Sequence, residues 1–312
     1  MTDSGSIATP SDVAWSLLPR PARVIPVTLH DGEQLWLRQY GNPSGPRLFI
    51  SHGNGLAVDL YYPYWKHFLQ DFEVVVFDVR NHGWNNVGEC SRHTYFTFVF
   101  DNECLLTTAN EVLGAKPAFG LFHSLTALTA LNHAAHVEGR WAGLVLFDPP
   151  VPPPPGHPLQ MDFHRGQVAI GQRASSRQER YASYAEFEGV MRKASVFRRL
   201  NGEAVELYAA ATFRPDGGGG VVLRCPRDYE AQVFLDNKVS TVALALQRLP
   251  PIAVIGGEPN DGVTDMPSRI CAALFPEWGI PYECVPQTTH FLQIEQPGDC
   301  AERTLRHLQG WL

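Results

Sequence analysis

Short apolar runs alternate with longer amphipathic stretches along most of the chain. The runs at Glu73–Phe77, Gly143–Phe147 and residues 252–255 are apolar almost throughout and do not alternate with polar positions. Strands of this kind are buried on both faces, as in a parallel sheet covered by helices. Residues 24–29 and 34–39 do alternate, and they flank an Asp-Gly turn signal. This predicts an antiparallel hairpin at the start of the sheet.

The same pattern divides the chain into a βα series with one interruption. Strands are predicted at 24–29, 34–39, 47–51, 73–77, 118–122, 143–147, 252–255 and 282–285, and helices at 58–70, 94–113, 124–137, before 249, at 267–275 and at 297–312. A proline-dense stretch at 149–158 breaks the series, and a helical segment at 161–212 follows it. We therefore predict an α/β fold with a mostly parallel central sheet of about eight strands flanked by helices, plus an inserted helical lid. The expected division is an N-terminal extension at 1–23, a core at 24–148 and 221–312, and the lid at 149–220.

Composition and charge narrow the classes of partner. The chain has 312 residues, 44% hydrophobic and 18% charged, and a net charge of −7 without any basic run. We therefore expect no nucleic-acid partner. The sequence has neither a signal-peptide pattern nor an apolar stretch of membrane-spanning length, so we expect no membrane partner and, by default, a cytoplasmic location. Six scattered cysteines are expected to be free thiols. The oligomeric state is left open, and a homodimer is one alternative.

Ser124 is the first candidate for chemistry. It stands where an apolar strand meets an apolar helix, which is the position of a nucleophile elbow. There the hydroxyl is exposed on a sharp turn, and the N–H of Leu125 at the helix N-terminus points at a developing oxyanion. The alternative is a serine that only caps the helix. The second candidate is His290, which lies in a loop between the last predicted strand and the last helix.

Four motifs, in this order, resemble the signature set of the α/β-hydrolase superfamily, and the resemblance runs from about residue 24 to the C-terminus. They are His52-Gly53-Asn54-Gly55, Asp78-Val79-Arg80-Asn81-His82-Gly83, His123-Ser124, and His290-Phe291-Leu292 with Gln296-Pro297. The resemblance implies a catalytic triad in the order nucleophile, acid, histidine.

By this resemblance, Ser124 is the nucleophile and His290 the general base, with Asp261 as the acid and Asp148 as the alternative acid. The backbone N–H groups of Asn54 and Leu125 would form the oxyanion hole. The implied reaction is hydrolysis of an ester, lactone or thioester of a small to medium substrate through an acyl-enzyme. No metal, nucleotide or flavin is expected, because the histidines lack metal-ligand spacing and the glycine run at 217–220 lacks the residues of a phosphate loop.

Two residues depart from the family pattern. Phe122 and Thr126, two positions on either side of the nucleophile, stand where small residues are usual, which predicts a looser or reshaped elbow. Two readings therefore stay open beside the hydrolase. One is a non-catalytic binding protein for a small molecule, and the other is a C–C hydrolase or cofactor-free lyase on the same scaffold. Haloalkane dehalogenases and epoxide hydrolases have an aspartate where this chain has Ser124, which argues against both.

Overall fold

The computed structural model describes residues 16–194, 197–236, 238, 240, 242–260 and 265–312. Its strands are β1 (Arg23–Thr28), β2 (Gln34–Gly41), β3 (Arg47–Ile50), β4 (Glu73–Phe77), β5 (Ala118–His123), β6 (Gly143–Phe147), β7 (Arg180–Tyr181), β8 (Phe213–Pro215), β9 (Val221–Leu223), β10 (Ile252–Gly256) and β11 (Tyr282–Cys284). Eight of them form one sheet in the order β1-β2-β4-β3-β5-β6-β10-β11, in which β2 pairs antiparallel with β1 and β4 and all other pairs are parallel. The predicted fold class, with its mostly parallel sheet of eight strands, is confirmed.

The helices flank this sheet or lie in the segment between β6 and β10. They are α1 (Tyr62–Trp65), α2 (Tyr95–Leu113), α3 (Leu125–His136), α4 (Gln160–Ser176), α5 (Tyr184–Lys193), α6 (Gly202–Thr212), α7 (Arg227–Leu235), α8 (Val242–Ala245), α9 (Met266–Glu277), α10 (Leu292–Glu295) and α11 (Pro297–Gln309). The single helix predicted at 58–70 is instead a run of short turns, in which α1 lies between two 3-10 segments and Pro63 lies in its first turn. Proline suits that position because the first helical turn has no partner for its N–H.

Both faces of the sheet are buried, as the apolar runs predict. Along β3, Leu48 and Ile50 belong to one hydrophobic cluster and Phe49 to the other, since successive side chains point to opposite faces. The first cluster also holds residues of α1, α6 and α11, and the second holds residues of α2, α3 and α9. This two-sided burial fixes the carboxyl ends of β3, β5 and β6 close together, where the candidate residues lie.

The segment predicted as a lid, 149–220, contains α4, α5 and α6 and the strands β7 and β8. Both strands pair antiparallel with β9, which begins directly after the predicted segment, in a small sheet of the order β7-β9-β8. α4 packs against α7, where Leu235 lies 3.0 Å from the position that a Cβ on Gly171 would take. The cover over the sheet edge therefore includes a helix beyond residue 220. Within the described part of the chain, no helix is both long enough and apolar enough to cross a bilayer.

Candidate active site

The turn between β5 and α3 holds Ser124 in a strained backbone conformation. Ser124 has φ 51° and ψ −114°, a region that residues other than glycine rarely occupy. Its N–H donates to the Phe147 carbonyl at 2.8 Å, and its carbonyl accepts from the Leu128 N–H at 3.0 Å. The turn is therefore held by the neighbouring strand and by the first turn of α3. Backbone strain of this kind is concentrated at functional sites.

Phe122, one of the two unusual residues near Ser124, is accommodated by packing. It is fully buried and stacks edge-on against Trp141, with the ring centroids 5.4 Å apart. Its ring fills the space beside Gly120, where any Cβ would collide with it. The absence of a side chain at residue 120 thus makes room for the aromatic ring. The family pattern around the nucleophile does not reveal this compensation, because Gly120 lies four residues before Ser124 and contacts Phe122 only in the folded chain.

Thr126, the other unusual residue, connects two parts of the site. Its Oγ1 accepts from the His123 N–H at 3.3 Å and lies 3.0 Å from the His52 carbonyl, to which the hydroxyl can donate. Glycine or alanine, which have no hydroxyl, could not make these hydrogen bonds. Thr126 therefore ties the elbow to the loop that follows β3.

His290 connects the serine to a carboxylate. Its Nε2 lies 2.9 Å from Ser124 Oγ, and its Nδ1 lies 3.2 Å from Asp148 Oδ2. An ionised carboxylate only accepts, so Nδ1 carries the proton and Nε2 is free to accept from the serine hydroxyl. The imidazole side chain is 16% exposed and that of Asp148 is fully buried.

Asp148 follows β6 directly and is held by further donors. Its φ is 43°, and its Oδ2 also accepts from Ser268 Oγ at 2.5 Å and from the Gly257 N–H at 3.3 Å. These bonds aim one oxygen at His290. Asp261, which the sequence analysis preferred as the acid, lies outside the described residues. Of the two candidate acids, Asp148 is thus the one whose geometry is described.

The loop at residues 52–55 after β3 lies directly on the elbow. A Cβ on Gly53 would lie 3.1 Å from Ser124 Cβ, so only glycine lets the loop backbone approach this closely. Asn54, the next residue, lines the cavity above Ser124, and Leu125 is the buried first residue of α3. Asn54 and Leu125, the two residues predicted for the oxyanion hole, therefore lie on the two backbone segments that meet at Ser124. These segments are the loop at residues 52–55 and the start of α3.

A chain of hydrogen bonds joins this loop to the histidine loop. The Gly53 N–H donates to Tyr61 Oη at 3.2 Å, Tyr61 Oη lies 2.6 Å from His123 Nδ1, and His123 Nε2 lies 2.8 Å from the His290 carbonyl. The two ends of this chain fix the direction of its hydrogen bonds, because the Gly53 N–H can only donate and the His290 carbonyl can only accept. The tyrosine hydroxyl therefore donates to Nδ1, and Nε2 carries the proton. Burial, and next the neighbouring His290, hold the pKa of His123 well below its usual range, which keeps it neutral.

A network of buried charges contacts the segment that follows the loop at residues 52–55. Arg38 contacts Asp59 at 2.5 Å and Asp78 at 2.8 Å, and all three side chains are at most 4% exposed. Asp78 Oδ1 also accepts from the Val58 N–H at 2.8 Å. Burial by itself would raise the pKa of Asp78, but Arg38, His52 and the backbone donors outweigh it and hold that pKa below its usual value. No sequence pattern predicted this network or the role of Tyr61, because both depend on contacts between distant segments.

A second cluster, of His82, His93 and Cys225, brings possible metal-binding atoms within 4.8 Å of one another. Hydrogen bonds already use the lone pairs of both imidazoles. His82 Nδ1 lies 2.8 Å from a backbone carbonyl, and its Nε2 accepts from a backbone N–H at 3.0 Å. His93 Nδ1 lies 2.8 Å from the amide nitrogen of Asn81, whose oxygen accepts from a backbone N–H at 2.6 Å, so the proton of His93 is on Nε2. A neutral imidazole binds a metal through a free lone pair, and these hydrogen bonds leave none.

A cavity of about 170 Å³ opens above Ser124 and His290. Its walls are largely apolar and come from the loop after β3, α4, α6, α7 and the histidine loop. Glu230 of α7 also lines it, where Asn54 Nδ2 donates to the Glu230 carbonyl at 2.8 Å. A mostly apolar cavity with a few polar groups over a nucleophile is typical of a small-molecule site.

Comparisons with known proteins agree with this architecture. Solved structures of similar fold include E-2-(acetamidomethylene)succinate hydrolase, with 16% identity over 92% of this chain and 99% of that one and a TM-score of 0.72. The thioesterase domain from the curacin biosynthetic pathway has 18% identity over 91% and 99% and a TM-score of 0.69. The carboxylesterase CesB from Bacillus subtilis has 16% identity over 96% and 95% and a TM-score of 0.64.

The search of curated proteins finds no match. The family model described as the alpha/beta hydrolase family matches residues 48–303, which is most of the chain and includes Ser124, Asp148 and His290. The resemblance inferred from the four motifs is therefore confirmed, and this chain belongs to the α/β-hydrolase family.

Proposed function

We propose that this protein is a serine hydrolase that cleaves an ester, lactone or thioester of a small to medium substrate through an acyl-enzyme. The observation that carries the proposal is the continuous contact from Ser124 Oγ to His290 Nε2 at 2.9 Å and from His290 Nδ1 to Asp148 Oδ2 at 3.2 Å. This is the geometry in which a histidine activates a serine and a carboxylate orients the histidine. The cavity above these atoms gives the substrate access to the serine.

In the proposed reaction, Ser124 Oγ attacks the acyl carbon while His290 Nε2 takes the hydroxyl proton. Asp148 stabilises the imidazolium that forms, and the N–H groups of Leu125 and Asn54 stabilise the negative oxygen of the tetrahedral intermediate. The imidazolium then returns the proton to the leaving alcohol or thiol, which leaves the acyl group on the serine. A water molecule, deprotonated by His290, releases the acid and restores the enzyme.

We propose Asp148 as the acid of this triad. Three donors converge on its Oδ2, and the carboxylate is buried, so its position is defined by the fold and not by solvent. Asp261 follows β10, the strand that pairs with β6, and remains the alternative until both positions are substituted.

The acyl-hydrolase class is supported by what the similar structures are named for, which includes a carboxylesterase and a thioesterase domain. The test is a panel of p-nitrophenyl esters, acyl thioesters and lactones, assayed with wild type and Ser124→Ala. We expect turnover of at least one class, with a pre-steady-state burst equal to the enzyme concentration, and loss of turnover in Ser124→Ala by about 10³-fold or more. Turnover that persists in Ser124→Ala would contradict an acyl-serine intermediate and favour the lyase reading.

A further inference from the structure

The lid side of the cavity carries a row of side chains from one helix. Gln167, Ile170 and Arg173 of α4 all line the cavity. Residues three apart lie on the same face of a helix, so the row runs along α4 for about 9 Å. Ile170 contributes an apolar surface in the middle, and the other two side chains carry N–H groups. The cavity roof therefore has polar groups at both ends of an apolar strip.

Lys238 determines which end of the Gln167 amide faces a ligand. Lys238 Nζ donates to Gln167 Oε1 at 3.1 Å and to the Val233 carbonyl at 2.5 Å. An ammonium has donors only, so the atom it contacts must be the amide oxygen. The oxygen is thus used, and Nε2 makes no hydrogen bond to any residue that the structure describes. Gln167 is 8% exposed and lines the cavity, so this NH₂ group is available to a ligand there.

Arg173 adds to the cavity a positive charge that no described acidic side chain balances. The carboxylate that lines the same cavity belongs to Glu230, and its Oε2 is paired with Arg177 Nη1 at 2.6 Å. The Arg173 guanidinium forms neither an ion pair nor a hydrogen bond with the residues for which coordinates are described. A carboxylate on a ligand would therefore meet a free guanidinium, while the acidic group of the cavity is already neutralised by its partner.

We propose that Arg173 binds a carboxylate of the substrate, so that the site prefers esters with an anionic group over neutral esters of the same shape. This inference rests on the proposed function. A guanidinium pairs with a carboxylate through two parallel N–H···O bonds, and the Gln167 amide offers a neutral donor to a second polar group of the substrate at the other end of the apolar strip. Arg173 is exposed, and solvent weakens such pairs, so we expect a preference of about tenfold rather than several hundredfold.

The experiment compares kcat/KM for two matched pairs of esters. p-Nitrophenyl hemiglutarate and p-nitrophenyl pentanoate place or omit the charge on the acyl side. 4-Acetoxybenzoate and its methyl ester place or omit it on the alcohol side. We expect wild type to prefer the anionic member of one pair by about tenfold, and the responding pair identifies the side. The ratio should fall close to unity in Arg173→Gln and be partly retained in Arg173→Lys.

The matched control is Arg165→Gln on the same helix. Its side chain is 74% exposed, lies 4.0 Å from Asp162 and does not line the cavity, so the ratio should not change. A ratio near unity in wild type for both pairs, or one retained in Arg173→Gln, would overturn the inference. If neutral esters are still hydrolysed through Ser124, the proposed function stands without it. If no ester is hydrolysed, calorimetry with glutarate decides, since binding must occur in wild type and be lost in Arg173→Gln.

Discussion

Replacing Asp148 by asparagine tests which of the two candidate carboxylates, Asp148 or Asp261, is the acid of the triad. Asp148 Oδ2 receives hydrogen bonds from His290 Nδ1 at 3.2 Å, Ser268 Oγ at 2.5 Å and the Gly257 N–H at 3.3 Å. Asparagine has the same shape, but its oxygen carries no negative charge to stabilise an imidazolium. If its NH₂ group turns toward Nδ1, the histidine must adopt the other tautomer and Nε2 can no longer accept the serine proton.

We therefore expect Asp148→Asn to lower kcat by about 10³- to 10⁴-fold, or about 4–5.5 kcal/mol of transition-state stabilisation, as in triads of this type. Asp261→Asn is the control and should change kcat by no more than a few fold. The assay is ester hydrolysis at saturating substrate, with thermal unfolding to show that both variants fold. A severe loss in Asp261→Asn together with near-normal kcat in Asp148→Asn would refute the assignment.

Three further substitutions test the groups around the triad. Tyr61→Phe removes the hydroxyl that accepts from the Gly53 N–H and donates to His123, so kcat should fall about tenfold with little change in KM. An unchanged kcat would show that this chain of hydrogen bonds does not position the site. Gly256→Ala places a Cβ 2.7 Å from the Tyr282 hydroxyl and 2.8 Å from Asp148 Oδ1, so we expect it to displace the Asp148 carboxylate and lower kcat by more than about tenfold. Wild-type kinetics in this variant would contradict the close packing of Gly256 against Asp148. Asp78→Asn leaves a buried arginine short of one partner and should lower the free energy of unfolding in urea by about 3–5 kcal/mol. Because the pKa of Asp78 in the folded protein lies below its unfolded value, the stability that Asp78 contributes is complete above about pH 4 and decreases as the pH falls further. The free energy of unfolding should therefore decrease less steeply with acid in the variant than in wild type. Parallel profiles of unfolding free energy against pH would contradict this.

The strands of the large sheet were predictable because burial on both faces leaves uninterrupted apolar runs, such as Glu73–Phe77 and Gly143–Phe147. The helix predicted at 58–70 was less regular than expected, since Tyr61 and Pro63 lie in a run of short turns. The strands β7, β8 and β9 have two or three residues each, which is too short for any periodic signal.

The contact between Ser124 and His290 was predictable because each residue stands beside a distinctive local pattern. The contact of His290 with Asp148 was not, for a physical reason. Asp148 and Asp261 follow β6 and β10, which are adjacent parallel strands whose carboxyl ends lie side by side. Chain order alone cannot tell which carboxylate turns toward His290. The orientation of the Asp148 carboxylate depends on a backbone φ of 43° and on hydrogen-bond donors from residues more than one hundred positions away in the chain.

The most direct test of the account is intact-mass measurement after exposure to a fluorophosphonate probe. The reagents are wild type, Ser124→Ala and His290→Ala, each shown to be folded by circular dichroism. We expect one adduct on wild type, none on Ser124→Ala and much slower labelling of His290→Ala, because only a serine activated by its histidine reacts rapidly. Folded wild type that gains no adduct, or an adduct that persists in Ser124→Ala, would contradict the claim that Ser124 is an activated nucleophile.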